Sequence, residues 1–471
     1  MRAAVRVLVA GVMVLSGWTM AVSQERPVED RPVIASGRPV AALHGVWRSR
    51  GYGYLVQIGA GGIELFHVAG DFCYADPRHQ PDPDGLFAFY RPYGKGAVAF
   101  SGTPGQTRYV FDRRASLPAA CRDRTAWSPR RVAALVAATF TDLYPSFAER
   151  GIEWRAQAAA AQRAVDDGSN DATLFEALRD MLAGVEDAHV SLHATVDGKE
   201  RALSPGEALT LLRVRTTADF GSDPGERENE WRRAYRRGIR DEVLDGNAHW
   251  AANDCVLWGR ADDIGYLNLM SMEGFTEGHP EDDPAGLDAA LDDAIAAFQG
   301  TRAVILDITN NEGGLDQLAQ RIAGRFADRV RPAYTKVAFG AKAVVPQPFA
   351  VEPSDRSRYL GPVYMLTSDI TLSAGEVFAL YMRALPNVVH VGETTRGAFS
   401  DKIDKPLPNG WRLALSAEIY RDRDGHSYEA RGLPPQVKRE VFPADALADG
   451  HARRVLELMD EIRRGVIAPR R

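Results

Sequence analysis

The chain has 471 residues, 45% of them hydrophobic and 25% charged, a globular composition that excludes a disordered or fibrous protein. That length exceeds what one hydrophobic core serves, so two or three domains are expected. The formal charge of −6 argues against a nucleic-acid partner.

Residues 1–23 begin with Arg2 and Arg6, continue through an apolar stretch to Val14 and Leu15, and end on Ala21-Val22-Ser23. A charged start, an apolar run and a small-x-small site predict a secretory signal peptide, and hence a periplasmic or secreted protein. The run is too short to span a bilayer, so no membrane span is expected in the mature chain. Residues 24–37 are Pro-rich and charged, which reads as a linker. From 38 to 125, short strands such as GVWRS, GYLVQI, GIELFHV and TRYVF alternate with turn residues, predicting a small all-β barrel or sandwich. Of the three cysteines, Cys73 and Cys121 would close this module and leave Cys255 over, although spacing alone does not fix the pairing. The absence of a CxxC pair argues against a cysteine zinc site.

Residues 126–196 turn helical in period, with Val132, Leu135, Val136, Phe140 and Leu143 on one face and Leu174, Leu178, Met181 and Val185 on another. The module closes on Asp187-Ala188-His189-Val190. His189 and His193 have metal-ligand spacing, but the Glu of HExxH is missing and Val190 and Leu192 alternate as in a strand, so no metal is inferred. Residues 197–261 form a connecting region with a polar helix candidate at 228–245. Residues 262–445 alternate strands (264–269, 303–308, 363–367, 388–391, 411–416) with helices (286–298, 315–326, 375–384), which predicts an α/β layer architecture. Residues 446–471 carry a closing amphipathic helix. The fold class expected is therefore multidomain α+β.

Four stretches of the α/β part carry chemistry. Asp307-Ile308-Thr309-Asn310-Asn311-Glu312-Gly313-Gly314 ends a strand on two glycines, where backbone N–H groups can approach a ligand. Thr371-Leu372-Ser373-Ala374-Gly375-Glu376 puts Ser373 between a strand and a helix, where it is either an N-cap or a nucleophile beside unpaired N–H groups. Val391-Gly392-Glu393-Thr394-Thr395-Arg396-Gly397 and Tyr428-Glu429-Ala430-Arg431-Gly432 follow.

In order and spacing these stretches resemble the core of the tail-specific (C-terminal processing) and tricorn-type serine peptidases, a group that includes the interphotoreceptor retinoid-binding proteins. The resemblance covers roughly residues 130–195 and 260–440 and implies a crotonase-like layered peptidase core. It makes Ser373 the nucleophile. The Lys that the tail-specific branch places after the third motif is Ala398 here, whereas the tricorn-type branch uses a His from the helical module and a Glu from the last motif. That match implies His189 as general base, Glu429 orienting it, and an oxyanion hole of backbone N–H groups from Ala374 and Gly313 or Gly314. Thr309, Ala430 and Gln436 depart from the family's Arg, Gly and Asp, and no PDZ-like domain is evident in 197–261. The expected function is an exported serine peptidase acting on peptides or proteins through an acyl-enzyme, with no cofactor. A non-catalytic protein that binds an apolar ligand, or an esterase or amidase, are the alternatives. Oligomeric state is not readable from the sequence.

Overall fold

The structure, a computed structural model, describes residues 29–78, 86–278 and 283–469. The signal peptide expected at 1–23 lies outside the described residues. The linker expected at 24–37 is folded from Arg31 onward: Arg31–Pro32 pairs with Phe89–Pro92 as an edge strand, and Val33 is wholly buried.

The N-terminal module is one eight-stranded antiparallel sheet whose two end strands, Arg31–Pro32 and Phe72–Ala75, are not paired with each other. Among the described residues neither a closed barrel nor a two-sheet sandwich is formed. Helices take the place of a second sheet. Trp47, Val56, Phe100 and Phe111 of the sheet share one core with Phe140 and Leu178 of the helices and Leu413 and Leu415 of a distant hairpin. Val46, Leu55 and Phe66 form a smaller cluster with Cys73 and Cys121, which are joined as a disulfide. Cys255 is free. Residues 38–125 and 126–196 thus share a core, and the boundary between them is one of secondary structure only.

The helices start where local chemistry starts them. Ser128 caps Pro129–Leu143, with Pro at the first helical position, and Asn170 Oδ1 accepts the Thr173 N–H at 2.8 Å to open Asp171–Met181. The next strand, Ser191–Val196, pairs with Arg412–Ser416 in a four-stranded sheet, which also contains Lys199–Leu203 and Lys402–Pro406. His189 lies in the turn just before that strand, so this pairing ties it to the C-terminal half of the chain.

The α/β core is a seven-stranded sheet. Ile264–Leu269, Ala303–Asp307, Val363–Thr367, Val388–Gly392 and Val437–Lys438 run parallel, with two antiparallel strands on one edge. Alternate residues serve opposite faces. Val304, Leu306, Val363 and Met365 pack with the helices Asp283–Phe298, Asp316–Gly324 and Ala374–Arg383. Ala303, Ile305, Tyr364 and Leu366 pack with Trp231 and Tyr235 of Pro224–Gly238 and with Val455 and Met459 of Gly450–Arg463. The connecting region therefore covers one face of the core sheet. Burial on both faces accounts for the uninterrupted apolar strands. A three-stranded antiparallel sheet, Gln347–Val351, Arg331–Ala338 and Glu418–Asp422, stands beside this core and has no counterpart in the sequence reading. Strand 412–416, expected in the core, belongs instead to the four-stranded sheet because it follows the hairpin at Pro408-Asn409-Gly410. No helix among the described residues is long and apolar enough to cross a membrane.

Candidate active site

Ser373 occupies the turn between Val363–Thr367 and Ala374–Arg383, at φ +57° and ψ −125°. Its side chain makes no capping hydrogen bond, and N-caps sit in the extended region, so Ser373 is not serving as a cap. A non-glycine residue at this φ costs about 1–3 kcal/mol and persists only where its surroundings fix it. They do so here. Leu372 N–H donates to Asn311 O at 3.0 Å, Thr371 Oγ1 to Ile308 O at 2.9 Å and Ser368 Oγ to Thr309 O at 2.5 Å. Gly313 abuts the turn so closely that a Cβ on it would lie 2.7 Å from Ser373 Cβ and 3.0 Å from Ala374 N.

The N–H groups near Ser373 divide by their partners. Gly313 N–H donates to Asn311 Oδ1 at 2.9 Å, so its contribution is close approach. Gly314 is bridged to Met272 by Met272 N–H to Gly313 O and Leu315 N–H to Met272 O, which leaves its own N–H outside the pair. Ala374 is the first helical residue, so its N–H has no intrahelical acceptor.

Ser373 and His189 line one cleft of about 580 Å³, together with Gly314, Leu372, Glu273, Glu312, Asp316, Asp401 and Lys402. The N-terminal sheet module supplies the facing wall, through Gly102, Thr103, Gln106, Thr107 and Tyr109. His189 is 6% exposed, and burial pushes its imidazole below the ordinary histidine value, so the ring is neutral at neutral pH. Its backbone N–H donates to Asp187 Oδ1 at 2.9 Å, and Tyr144 OH donates to Asp187 Oδ2 at 2.9 Å. Its Nδ1 is buried with no hydrogen-bond partner among the described residues.

Glu429 is also buried. Its Oε2 accepts the Phe399 and Ser400 N–H groups at 3.0 and 3.2 Å, while Oε1 has no hydrogen-bond partner among the described residues. Burial first, then the charges of Asp187 and Glu376, hold this carboxyl well above the usual range. Arg150, which the sequence reading did not single out, reaches between the acids, with Nη2 3.5 Å from Asp187 Oδ2 and 3.7 Å from Glu429 Oε1. It is 6% exposed at the side chain and opposes the upward push on Glu429. No local pattern marks Arg150, because the groups it meets lie 37 and 279 positions further along the chain.

The remaining motif residues brace the site. Glu376 is wholly buried and accepts Thr395 Oγ1 at 2.5 Å, Gly397 N at 2.7 Å and Ala398 N at 2.8 Å, which fastens the third motif to the helix after Ser373. The third and fourth motifs then lie backbone against backbone: a Cβ on Gly432 would meet Thr395 O at 2.0 Å. Ala430, where the family pattern has glycine, sits at φ +65°. Ala398 is buried beside this brace and brings no base to the site. Among the described residues no group of three His, Cys, Asp or Glu could hold a metal ion.

Residues 263–439 match the family Peptidase family S41. The carboxy-terminal processing protease CtpA of Bacillus subtilis is 29% identical over 154 residues, 32% of this chain and 32% of that protein. The carboxyl-terminal-processing protease of Picosynechococcus is 28% identical over 152 residues, 32% of this chain and 34% of that protein. The match thus spans about a third of the length of either relative. Among solved structures, a Parabacteroides merdae protein provisionally described as a peptidase is 26% identical, with a TM-score of 0.55 over 71% of this chain and 96% of that one. Mature CPAF complexed with lactacystin, at 13% identity, shares the fold with a TM-score of 0.52 over 71% of this chain and 98% of that one.

Proposed function

We propose that this chain, which belongs to peptidase family S41 through residues 263–439, is an exported serine peptidase that cleaves peptide bonds through an acyl-enzyme on Ser373. The observation that carries this reading is the strained, non-capping Ser373 placed with His189 in one cleft. A protein that only bound an apolar ligand would gain nothing from a serine held in that conformation. The leader-like residues 1–23 and the Cys73–Cys121 disulfide support export to an oxidising compartment.

In this reading neutral His189 takes the Ser373 hydroxyl proton as Oγ attacks the scissile carbonyl. The oxyanion is held by the N–H groups of Ala374 and Gly314, with Gly313 shaping the turn. His189 then gives its proton to the leaving amine, and in the second half it activates the water that hydrolyses the ester to Ser373. Glu429 orients the imidazole and stabilises its charged form. His189 Nδ1 and Glu429 Oε1 are each buried without a hydrogen-bond partner among the described residues, and in this reading they pair as donor and acceptor when the triad forms. Arg150 and Asp187 hold the two residues from behind.

Turnover of a quenched-fluorescence peptide library tests this directly. Cleavage that disappears in Ser373→Ala is expected. Hydrolysis of nitrophenyl esters without any peptide cleavage would replace peptidase by esterase.

A further inference from the structure

The cleft is strongly acidic in a way that the proposed triad does not use. Of its charged lining residues, Glu273, Glu312, Asp316 and Asp401 are acids and Lys402 is the one base apart from His189. Glu312 is satisfied by Arg232 Nη2 at 2.5 Å. Asp316 and Asp401, both half-buried, instead join an ion-pair group with the buried Lys336 and Glu418. Three carboxylates from distant segments, Asp316, Asp401 and Glu418, surround the single ammonium of Lys336, whose Nζ is 2.7 Å from Asp401, 3.6 Å from Glu418 and 3.7 Å from Asp316.

These acids are unequally satisfied. Asp401 takes Lys336 Nζ, Thr107 Oγ1 at 2.9 Å and Tyr420 OH at 2.9 Å. Glu418 takes Tyr52 OH at 2.5 Å and the Asp401 N–H at 3.3 Å. Asp316, at the first position of its helix and 16% exposed at the side chain, has among the described residues only Tyr420 OH at 3.4 Å besides the distant Lys336. Burial and the charge of Asp401 push Asp316 up to about 7, the behaviour of a carboxylate short of a counter-charge. An independent observation points the same way. Tyr109, from the N-terminal sheet, lines the same cleft at 8% exposure, and its hydroxyl makes no hydrogen bond among the described residues.

We infer that Asp316, Asp401 and Tyr109 form a specificity subsite for the positively charged side chain of an arginine or lysine in the substrate, built jointly by the core and the N-terminal sheet. The inference rests on the peptidase reading for the identity of the ligand as a peptide. The charge recognised is organic, since no metal-holding group is present among the described residues. An incoming guanidinium or ammonium pairs with Asp316 and brings the carboxylates closer to charge balance, while Thr107 and Tyr109 close the wall over it. The N-terminal module is thereby assigned a part in substrate selection.

The test uses fluorescent peptide pairs that differ at one position only, arginine against its uncharged isostere citrulline. They are titrated by anisotropy against the full chain carrying Ser373→Ala, so that binding is read without turnover. At one position the arginine peptide should bind about tenfold tighter. Asp316→Asn in the same background should bring that ratio below about twofold, and the isosteric Tyr109→Phe should bring it to an intermediate value. Because the readout is a ratio within one variant, a general weakening cancels. Equal affinities at every position, no binding of either peptide, or a ratio that survives Asp316→Asn would each overturn the inference. Failure of a serine probe to label Ser373 would overturn the peptidase reading and leave this charge test standing.

Discussion

Gly313→Ala is the substitution whose effect follows most directly from the geometry. A Cβ at position 313 would stand 2.7 Å from Ser373 Cβ, 2.9 Å from Leu372 O and 3.0 Å from Ala374 N, whereas carbon atoms rest at about 3.5–4.0 Å. Relief therefore needs a movement of about 1 Å. The glycine cannot supply it freely, because its N–H is held by Asn311 Oδ1 and its C=O by Met272 N–H. The other side of the clash is Ser373 itself, the proposed nucleophile. Gly313 also sits at φ +99°, which adds about 1–2 kcal/mol of strain for an alanine. A misplacement of that size at a reacting group costs roughly 100-fold in rate. The total destabilisation stays within the ~5–15 kcal/mol that domains hold in reserve, so the variant should fold with a lowered melting temperature. The assay is the second-order rate of fluorophosphonate labelling, with thermal unfolding as the control for folding. A labelling rate within threefold of wild type would refute the reasoning, since the turn would then yield without displacing Ser373.

Two further outcomes are expected. Arg150→Gln removes the one cation between Asp187 and Glu429, so Glu429 will hold its proton to still higher pH and the acid limb of the labelling-rate profile should move up by roughly 1–3 pH units. An unshifted limb would dissociate Glu429 from the activity. Ala430→Gly relieves a residue held at φ +65° and should raise stability by ~1 kcal/mol in denaturant unfolding; a loss of stability would mean that the Ala430 methyl packs usefully.

What could be read from the sequence was local. The strand Val363–Thr367 and the helix after it were legible because an apolar run and a helical spacing are written in neighbouring residues. The hairpin around Pro408-Asn409-Gly410 announced itself by its turn residues. The motif match brought Ser373, His189 and Glu429 to notice, but nothing in it tells a capping serine from one at φ +57°. What escaped was set by distant partners. Lys336 faces inward on a strand that looks interrupted by charge and proline, and its burial is possible only because Asp401 and Glu418 arrive from elsewhere in the chain. Arg150 is one exposed-looking arginine among many until Asp187 and Glu429 close on it. The wall that Thr107 and Tyr109 give to the cleft depends on how the N-terminal sheet docks, which no single segment encodes. The barrel or sandwich expected for the β module is not completed for a related reason: helices 129–143 and 171–181 share the core of its single sheet.

The central claim is an activated Ser373 with His189 as its base. It is tested most directly by treating the folded protein with a fluorophosphonate probe and locating the modified residue by mass spectrometry, in wild type and in His189→Ala. Stoichiometric modification of Ser373, largely lost in His189→Ala, is the predicted result. An unmodified Ser373 in folded wild-type protein would contradict the account and favour a binding function for the same cleft.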